Sequence, residues 1–207
     1  MIAPRLLAGE VRVRVGAVGV SALGTQVAGI IDGVGPDSAG FAKNDRVAFR
    51  SLAPTSAAII TVAERDLIGI PADVTLDAAA ALFPCAMLAR SVVKQVHAVG
   101  RGTRVALTDV SVVAPFVVAW AHHLGATVLS DAIAQLEASD VIISGRSVRT
   151  ALGMRPGHGS VQQVASDVFA AMRSGAFDAI STSTAEQARQ GSRSPVLLHP
   201  AEVSLAA

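Results

Sequence analysis

The chain has 207 residues, of which 51% are hydrophobic, and a formal net charge of +1 at pH 7. A chain of this size and composition can bury a core as one or two small domains. The balanced charge and the 3% aromatic content, with no tyrosine, provide neither a basic surface nor a stacking platform for bases. We therefore expect no nucleic-acid partner.

Cysteine usage and the apolar runs predict a soluble, cytoplasmic protein. Cys85 is the single cysteine, which excludes an intrachain disulfide and a multi-cysteine zinc site. The opening stretch MIAPRLLAGEVRVRV lacks the apolar core and cleavage site of a signal peptide. The run VVAPFVVAW is too short to span a bilayer and contains Pro115. This short run predicts no membrane association. No His, Cys, Asp or Glu residues have the spacing of metal ligands, so we expect no metal.

The first part of the chain predicts a β-rich unit followed by a helix. VRVRVGAVGV alternates valine with arginine from Val11 to Val15, which is typical of a half-buried strand. Three further strands are predicted in QVAGIIDGVG, NDRVAF and AAIITVAERDLIGIP. After Pro71 the stretch TLDAAAALFPCAMLARSVVKQVHAVG has helical spacing. Thr75 is its predicted N-cap, with Asp77 near the positive end of the helix.

From Thr103 onward strands and helices alternate, which predicts parallel βαβ geometry. VALTD is a predicted strand, and the helix VVAPFVVAWAHHLG after it is predicted to end at Gly125. ATVLSD and SDVIISG are two more predicted strands, and GSVQQV is a predicted edge strand. VRTALGMRPG and VASDVFAAMRSG predict helices, and SPVLLHP predicts the last strand.

This order of segments resembles the medium-chain dehydrogenase/reductase superfamily and, within it, the zinc-free quinone oxidoreductases. The resemblance covers most of the chain in pieces: VRVRVGAVGVS, VAGIIDGVGPDSAGFAKNDRVAF, VAERDLIGIPADVTLDAAAAL, GRGTRVAL, WAHHLGATV, DVFAAMRSGAF and SPVLLHP. It implies an α/β fold class, with a GroES-like β-rich domain and a Rossmann-like α/β domain.

Two departures imply that the Rossmann-like domain is reduced. A long loop of the family is missing between VGVSA and VAGII, and a larger piece is missing between SDAIAQLEASD and VIISG. In the family the last helix and strand return to the β-rich domain. We therefore expect residues 1–94 and 166–207 to form the GroES-like, substrate-side domain and residues 95–165 to form the reduced Rossmann-like domain.

The glycine-rich turn that holds a dinucleotide in such domains has no counterpart in this sequence. Glycines allow the tight turn, the close approach of the pyrophosphate and the packing of helix on strand. The corresponding residues are Asp109, Val110, Ser111, Val112, Val113, Ala114 and Pro115. The β-branched side chains are expected to fill the space of the pyrophosphate, and Pro115 donates no N–H. Asp131 stands where an acid often holds the ribose, although turn chemistry explains it equally. We expect no bound cofactor.

Polar residues at the carboxyl ends of the predicted parallel strands are the candidate site, because ligands bind at that edge of α/β sheets. Asp109 and Asp131 are the candidate catalytic acids or bases. The candidate substrate-binding residues are Ser21, Thr108, Ser111, Ser130, Ser144 and Arg146. Ser21 is included because the resemblance places a polar residue beside the substrate there. Each of these residues has an alternative interpretation as a turn or capping residue.

Two classes of function remain open. The favoured one is a redox-neutral cyclase or isomerase of a hydrophobic metabolite, of the kind found in bacterial polyketide and antibiotic pathways. The resemblance implies an apolar interdomain cleft, which is a usual ligand site, and holding a reactive conformer lowers a cyclisation barrier by up to ~7–11 kcal/mol. The alternatives are a non-catalytic pseudoenzyme or interaction module and, third, an NADPH-dependent quinone or enoyl reductase. The resemblance also implies a homodimer, with GSVQQV at its interface.

Overall fold

The computed structural model describes residues 5–21, 23–51, 57–129, 137–154, 158–183 and 195–199. The strands of this described part are β1 (Glu10–Ser21), β2 (Gly24–Val34), β3 (Arg46–Ser51), β4 (Ile59–Ala63), β5 (Ile68–Gly69), β6 (Arg104–Thr108), β7 (Thr127–Val128), β8 (Val141–Ser144) and β9 (Val196–Leu198). The helices are α1 (Leu76–Ala81), α2 (Phe83–Ser91), α3 (Ala114–His123), α4 (Gly145–Gly153) and α5 (His158–Arg173). A π-helical turn, Val92–Val96, follows α2, and single 3₁₀ turns lie at Glu64–Asp66 and Ser111–Val113.

The β-rich part of the chain forms an antiparallel sheet built around β1. The strand order is β4-β1-β2-β3-β5, and β9 also pairs with β1. Val11, Val13 and Val15 are buried in the core, while Arg12 reaches Asp32 of β2 with an Nε–Oδ2 distance of 2.9 Å. The valine–arginine alternation therefore predicted both the strand and its buried face. Ser21 pairs directly with Gly24, so a short connection joins β1 to β2. This agrees with the expectation that the chain lacks a long loop between these strands.

Helix α1 packs against β1 at a glycine. The helix begins at the predicted N-cap, where Thr75 Oγ1 accepts a hydrogen bond of 3.1 Å from the N–H of Ala78. A Cβ atom placed on Gly19 would lie 1.9 Å from the carbonyl oxygen of Ala80. Real Cβ atoms are not found at such a distance, so only glycine allows the helix backbone to approach the strand this closely.

The α/β part of the chain contains a parallel sheet of strand order β7-β6-β8 in the described residues. Helix α3 connects β6 to β7 and buries Trp120, whose Nε1–H donates to the carbonyl oxygen of Ala86 at 2.8 Å. The helix ends at His123, and Gly125 is the glycine that follows its C-cap, as predicted. Gly125 has φ +77°, and its N–H donates to the carbonyl of His122. Ala126 N–H donates in turn to the carbonyl of Ala121, which completes a Schellman motif.

The segment GSVQQV is not an edge strand, so that prediction is wrong. It lies in the first turns of α5, which runs from His158 to Arg173. Val164, Ala165, Val168 and Phe169 are buried on one face, and this spacing continues the helical period of VASDVFAAMRSG back through the segment. This segment therefore cannot be the expected interface strand of a homodimer. The expectation of a homodimer is supported by the resemblance alone.

The chain divides into two compact units, Met1–Leu82 with Thr182–Ala207 and Phe83–Ser181. The expected boundaries at 94/95 and 165/166 both fall inside the second unit. Helices α2 and α5 pack on each other there: the Phe83 and Phe169 rings stack at 4.8 Å, and Arg90 Nε donates to Asp167 Oδ2 at 2.9 Å. The returning strand β9 joins the first unit as expected. No helix in the described ranges is long and apolar enough to cross a membrane.

Candidate functional site

The parallel pairing of β6 with β8 brings two predicted site residues side by side. Thr108 and Ser144 are partners in the register and are the last residues of their strands. Both side chains are half-buried. The chain leaves this edge of the sheet at Asp109 after β6 and at Gly145 after β8. Two of the predicted residues therefore lie together at the carboxyl edge of the sheet, although they are far apart in sequence.

Asp109 holds a left-handed backbone conformation at this edge, with φ +54°. The turn after β6 thus keeps the backbone shape that glycine usually supplies, but it carries a carboxylate. Aspartate tolerates this region better than most residues, although the conformation is still less favourable than the right-handed one. The Asp109 side chain is exposed, so its carboxylate is hydrated and available to a ligand.

Gly145 lets Asp109 approach the first turn of α4. A Cβ atom placed on Gly145 would lie 3.0 Å from the carbonyl oxygen of Asp109 and 3.4 Å from its Oδ2. The same point is 3.5 Å from Nη1 of Arg149, one helical turn further along α4. A carboxylate and a guanidinium therefore converge on one glycine. Sequence reasoning selected Arg146, which is exposed on the same turn, and missed Arg149.

A serine–histidine pair fixes the first turn of α4 and was also missed. Ser147, which is 5% exposed, accepts a hydrogen bond from the Ser144 N–H at 3.1 Å. His97 Nε2 lies 2.6 Å from the same Ser147 hydroxyl. The spacing of Ser144 and Ser147 is that of a capping pair and could have indicated the helix start. The contact with His97 joins residues 50 apart and has no local sequence signal.

Burial lowers the pKa of His97, which makes the folded protein sensitive to mild acid. An unfolded histidine binds its proton near pH ~6.5, whereas folded His97 binds it only at a lower pH. The stability that neutral, buried His97 contributes is therefore fully present above the pKa of the unfolded state. It is lost as the pH falls through the pKa of the folded state. We expect thermal melts between about pH 7.5 and about pH 5.5 to show a smaller loss of Tm for His97→Gln than for the wild type.

The control for this measurement is His122→Gln, which removes an exposed histidine of α3 in the same unit. Its melts should follow those of the wild type across the range. If the slope of Tm against pH is equal for all three proteins, His97 does not contribute to the acid sensitivity.

Two backbone positions at the start of α3 have no free N–H for a pyrophosphate. The N–H of Val113, at the N-cap of α3, already donates to the carbonyl of Val110 at 3.1 Å. Pro115 stands in the first turn of α3 and has no N–H. Phosphate binding at a helix start depends on free N–H groups and on the absence of negative charge. With the Asp109 carboxylate beside it, this turn does not fit the pyrophosphate of a dinucleotide.

The three valines of this turn differ in exposure. Val110 and Val113 are only 7% and 5% exposed and are packed inside the unit. Val112 is half-buried. Their expected role in filling the space of a pyrophosphate stays a prediction.

The remaining predicted residues are placed as follows. Ser21 ends β1 in the first unit, where its Oγ accepts from the Leu23 N–H at 3.2 Å, so it serves the hairpin turn. Ser111 begins the 3₁₀ turn between β6 and α3. Ser130 and Asp131 lie outside the described residues. Among the described residues, no group of three or more His, Cys, Asp or Glu could hold a metal ion.

Comparison with known proteins gives structural matches only. No protein-family model matches the chain, and no curated protein matches it. The solved structure of a 2-haloacrylate reductase matches with a TM-score of 0.73 and 19% identity, covering 97% of this chain and 94% of that one. The Escherichia coli quinone oxidoreductase complexed with NADPH matches with a TM-score of 0.68 and 14% identity, over the same shares of the chains. The CurK enoyl reductase matches with a TM-score of 0.60 and 14% identity, covering 96% and 93%.

The matches extend over nearly the whole of each chain, and at these identities they establish the fold. The antiparallel sheet of the first unit and the parallel α/β arrangement of the second agree with the predicted GroES-like and Rossmann-like architecture. The α/β fold class predicted from the order of segments is confirmed. The chain therefore has the fold of these three reductases.

Proposed function

We propose that this protein has lost nicotinamide redox chemistry and catalyses a redox-neutral proton transfer on a hydrophobic, carbonyl-bearing small molecule. Cyclisation and isomerisation are the reactions of this kind. The observation that carries the proposal is the Asp109 turn: a left-handed aspartate at the carboxyl end of β6, where the fold elsewhere binds a dinucleotide.

Three features support a chemical role for this aspartate. Its carboxylate is exposed at the edge of the sheet where α/β proteins bind ligands. Its left-handed backbone is an unfavourable conformation, and such conformations cluster at functional sites. Gly145 leaves room for it beside α4. A positioned carboxylate acts as a general base when it lies within hydrogen-bond reach of the substrate proton.

The neutral, aliphatic composition of the chain supports a hydrophobic substrate. A reductase remains the second candidate, because the E. coli neighbour was solved with NADPH. The two candidates differ in their demand on the turn after β6, since a reductase has to hold the pyrophosphate there and a proton-transfer enzyme does not.

The proposed chemistry predicts catalysed hydrogen exchange without any nucleotide. In D₂O, the wild type should accelerate loss of the C2 proton signal of ethyl 2-methylacetoacetate, as followed by NMR. Asp109→Asn should lower the catalysed rate by about 10²-fold or more, the usual contribution of a general base. Thermal melting of each variant reports whether the fold is retained.

The matched control is Asp140→Asn, which removes an exposed aspartate immediately before β8, at the opposite end of that strand. This variant should exchange the probe at the wild-type rate. Exchange at the buffer rate by the wild type, or an Asp109→Asn variant as active as the wild type, would refute the proposed function.

A further inference from the structure

We infer that Arg149 is a second catalytic residue of this site, which stabilises the enolate formed when Asp109 removes a proton, and that the substrate is a 1,3-dicarbonyl compound. This inference rests on the proposed function and adds to it a residue and a substrate class. Its basis is the convergence of two opposite charges on the Gly145 backbone.

The geometry places the two groups on the same side of one glycine. Asp109 Oδ2 lies 3.4 Å, and Arg149 Nη1 3.5 Å, from the position that a Gly145 Cβ would occupy. Arg149 is four residues after Gly145 on α4, so its long side chain reaches back over the first helical turn. Both residues are exposed. A small molecule seated over Gly145 can therefore contact the carboxylate and the guanidinium together.

Contacts at the first turn of α4 fix the helix that carries Arg149. The first turn of the helix is fixed by the Ser144–Ser147 hydrogen bond and by the His97–Ser147 contact. Catalytic groups carried by a fixed helical turn hold their geometry better than groups on a free loop. Arg149 therefore projects from a defined position toward the left-handed Asp109.

The charges assign a role to each residue. The Asp109 carboxylate takes the proton from the carbon between two carbonyl groups, and the electron pair of that C–H bond moves onto a carbonyl oxygen. The Arg149 guanidinium, which donates from several N–H groups, hydrogen-bonds this enolate oxygen. The carboxylic acid of Asp109 then returns the proton in one of two ways. In an isomerisation of configuration, the proton returns to the opposite face of the same carbon. In an aldol ring closure, the enolate carbon forms a bond to the carbon of another carbonyl group, whose C=O electron pair moves to its oxygen, and that oxygen takes the proton. The carboxylate is regenerated, and no oxidant or reductant is needed.

The substrate class follows from the exposure of the base. The Asp109 carboxylate is exposed to water, so we expect it to act on a proton that neighbouring groups of the substrate acidify. Two flanking carbonyl groups acidify the C–H bond far more than one does. β-Keto esters and β-keto thioesters have this arrangement and are the chemical class that the Asp109–Arg149 pair fits.

The test measures hydrogen exchange with ethyl 2-methylacetoacetate, a 1,3-dicarbonyl, and with 2-butanone, which has one carbonyl. The wild type should exchange the first probe and leave the second at the buffer rate. Arg149→Gln should lower kcat/KM for the first probe by about 10²-fold, mainly through kcat, as loss of one oxyanion donor does. Arg149→Lys, which keeps the charge, should retain part of the rate. Arg101→Gln, at the opposite end of β6 in the same unit, is the control and should equal the wild type.

The outcomes separate this inference from the proposed function. If Asp109→Asn abolishes exchange while Arg149→Gln keeps the wild-type kcat, the role of Arg149 is wrong and the proposed function stands. A change confined to KM also contradicts the inference, because it indicates ground-state binding only. Exchange of 2-butanone at a comparable rate overturns the substrate class. No exchange of either probe by the wild type overturns both proposals. The Arg149→Lys variant covers the case in which Arg149→Gln fails to fold.

Discussion

Replacing Gly19 with alanine should destabilise the GroES-like unit by about 3 kcal/mol, the upper part of the range for overpacked sites. The added Cβ would lie 1.9 Å from the Ala80 carbonyl oxygen and 2.9 Å from the Ala81 nitrogen. These are backbone atoms of α1, which cannot turn aside as a flexible side chain can. The helix has to move away from β1, and the contacts that it makes there are lost. Thermal melting should show a fall in Tm of roughly 6–12 °C for a chain of this size.

Gly69→Ala is the matched control, because Gly69 also lies in a strand of the same unit. A Cβ there would meet only Phe41 Cε1 at 3.6 Å, which is ordinary contact. We expect no loss of Tm, since alanine reduces the conformational entropy of the unfolded chain. If the Tm of Gly19→Ala equals that of the control, α1 is not held against β1 at this glycine.

Local patterns of the sequence predicted much of the secondary structure. The alternation at Val11 to Val15 identified β1 and its buried face, and Thr75 and Gly125 marked a helix start and a helix end. Each of these signals depends on residues within one or two turns of the chain. The segment GSVQQV was misassigned because two valines with polar residues between them fit a short strand as well as a helix. Its place in α5 depends on the burial of Val168 and Phe169 further along.

The candidate site was predicted in part. The rule that ligands bind at the carboxyl ends of parallel strands identified Thr108, Asp109 and Ser144, which the structure brings to one edge. Arg149 and His97 could not be found in this way. Their positions depend on how α4 packs beside the turn after β6 and beside the π-helical turn Val92–Val96, and such tertiary contacts have no local signal. The proposed catalytic role of Asp131 stays a prediction, because this residue lies outside the described part of the chain.

NADPH should bind this protein at least a thousandfold more weakly than the micromolar range, a loss of about 4 kcal/mol or more. The physical reason lies in three residues at the turn after β6. Asp109 adds a negative charge to this turn, the Val113 N–H is already bonded to Val110, and Pro115 has no N–H to donate. Each feature removes attraction that a dinucleotide needs from a helix start.

Isothermal titration calorimetry with NADPH, repeated with NADH, measures this affinity. The Escherichia coli quinone oxidoreductase, solved in complex with NADPH, serves as the positive control under the same conditions. We expect no saturable heat for this protein up to about millimolar nucleotide, where the binding free energy would be only about −4 kcal/mol. A saturable isotherm with a micromolar Kd would contradict it and would make the NADPH-dependent reductase the better assignment.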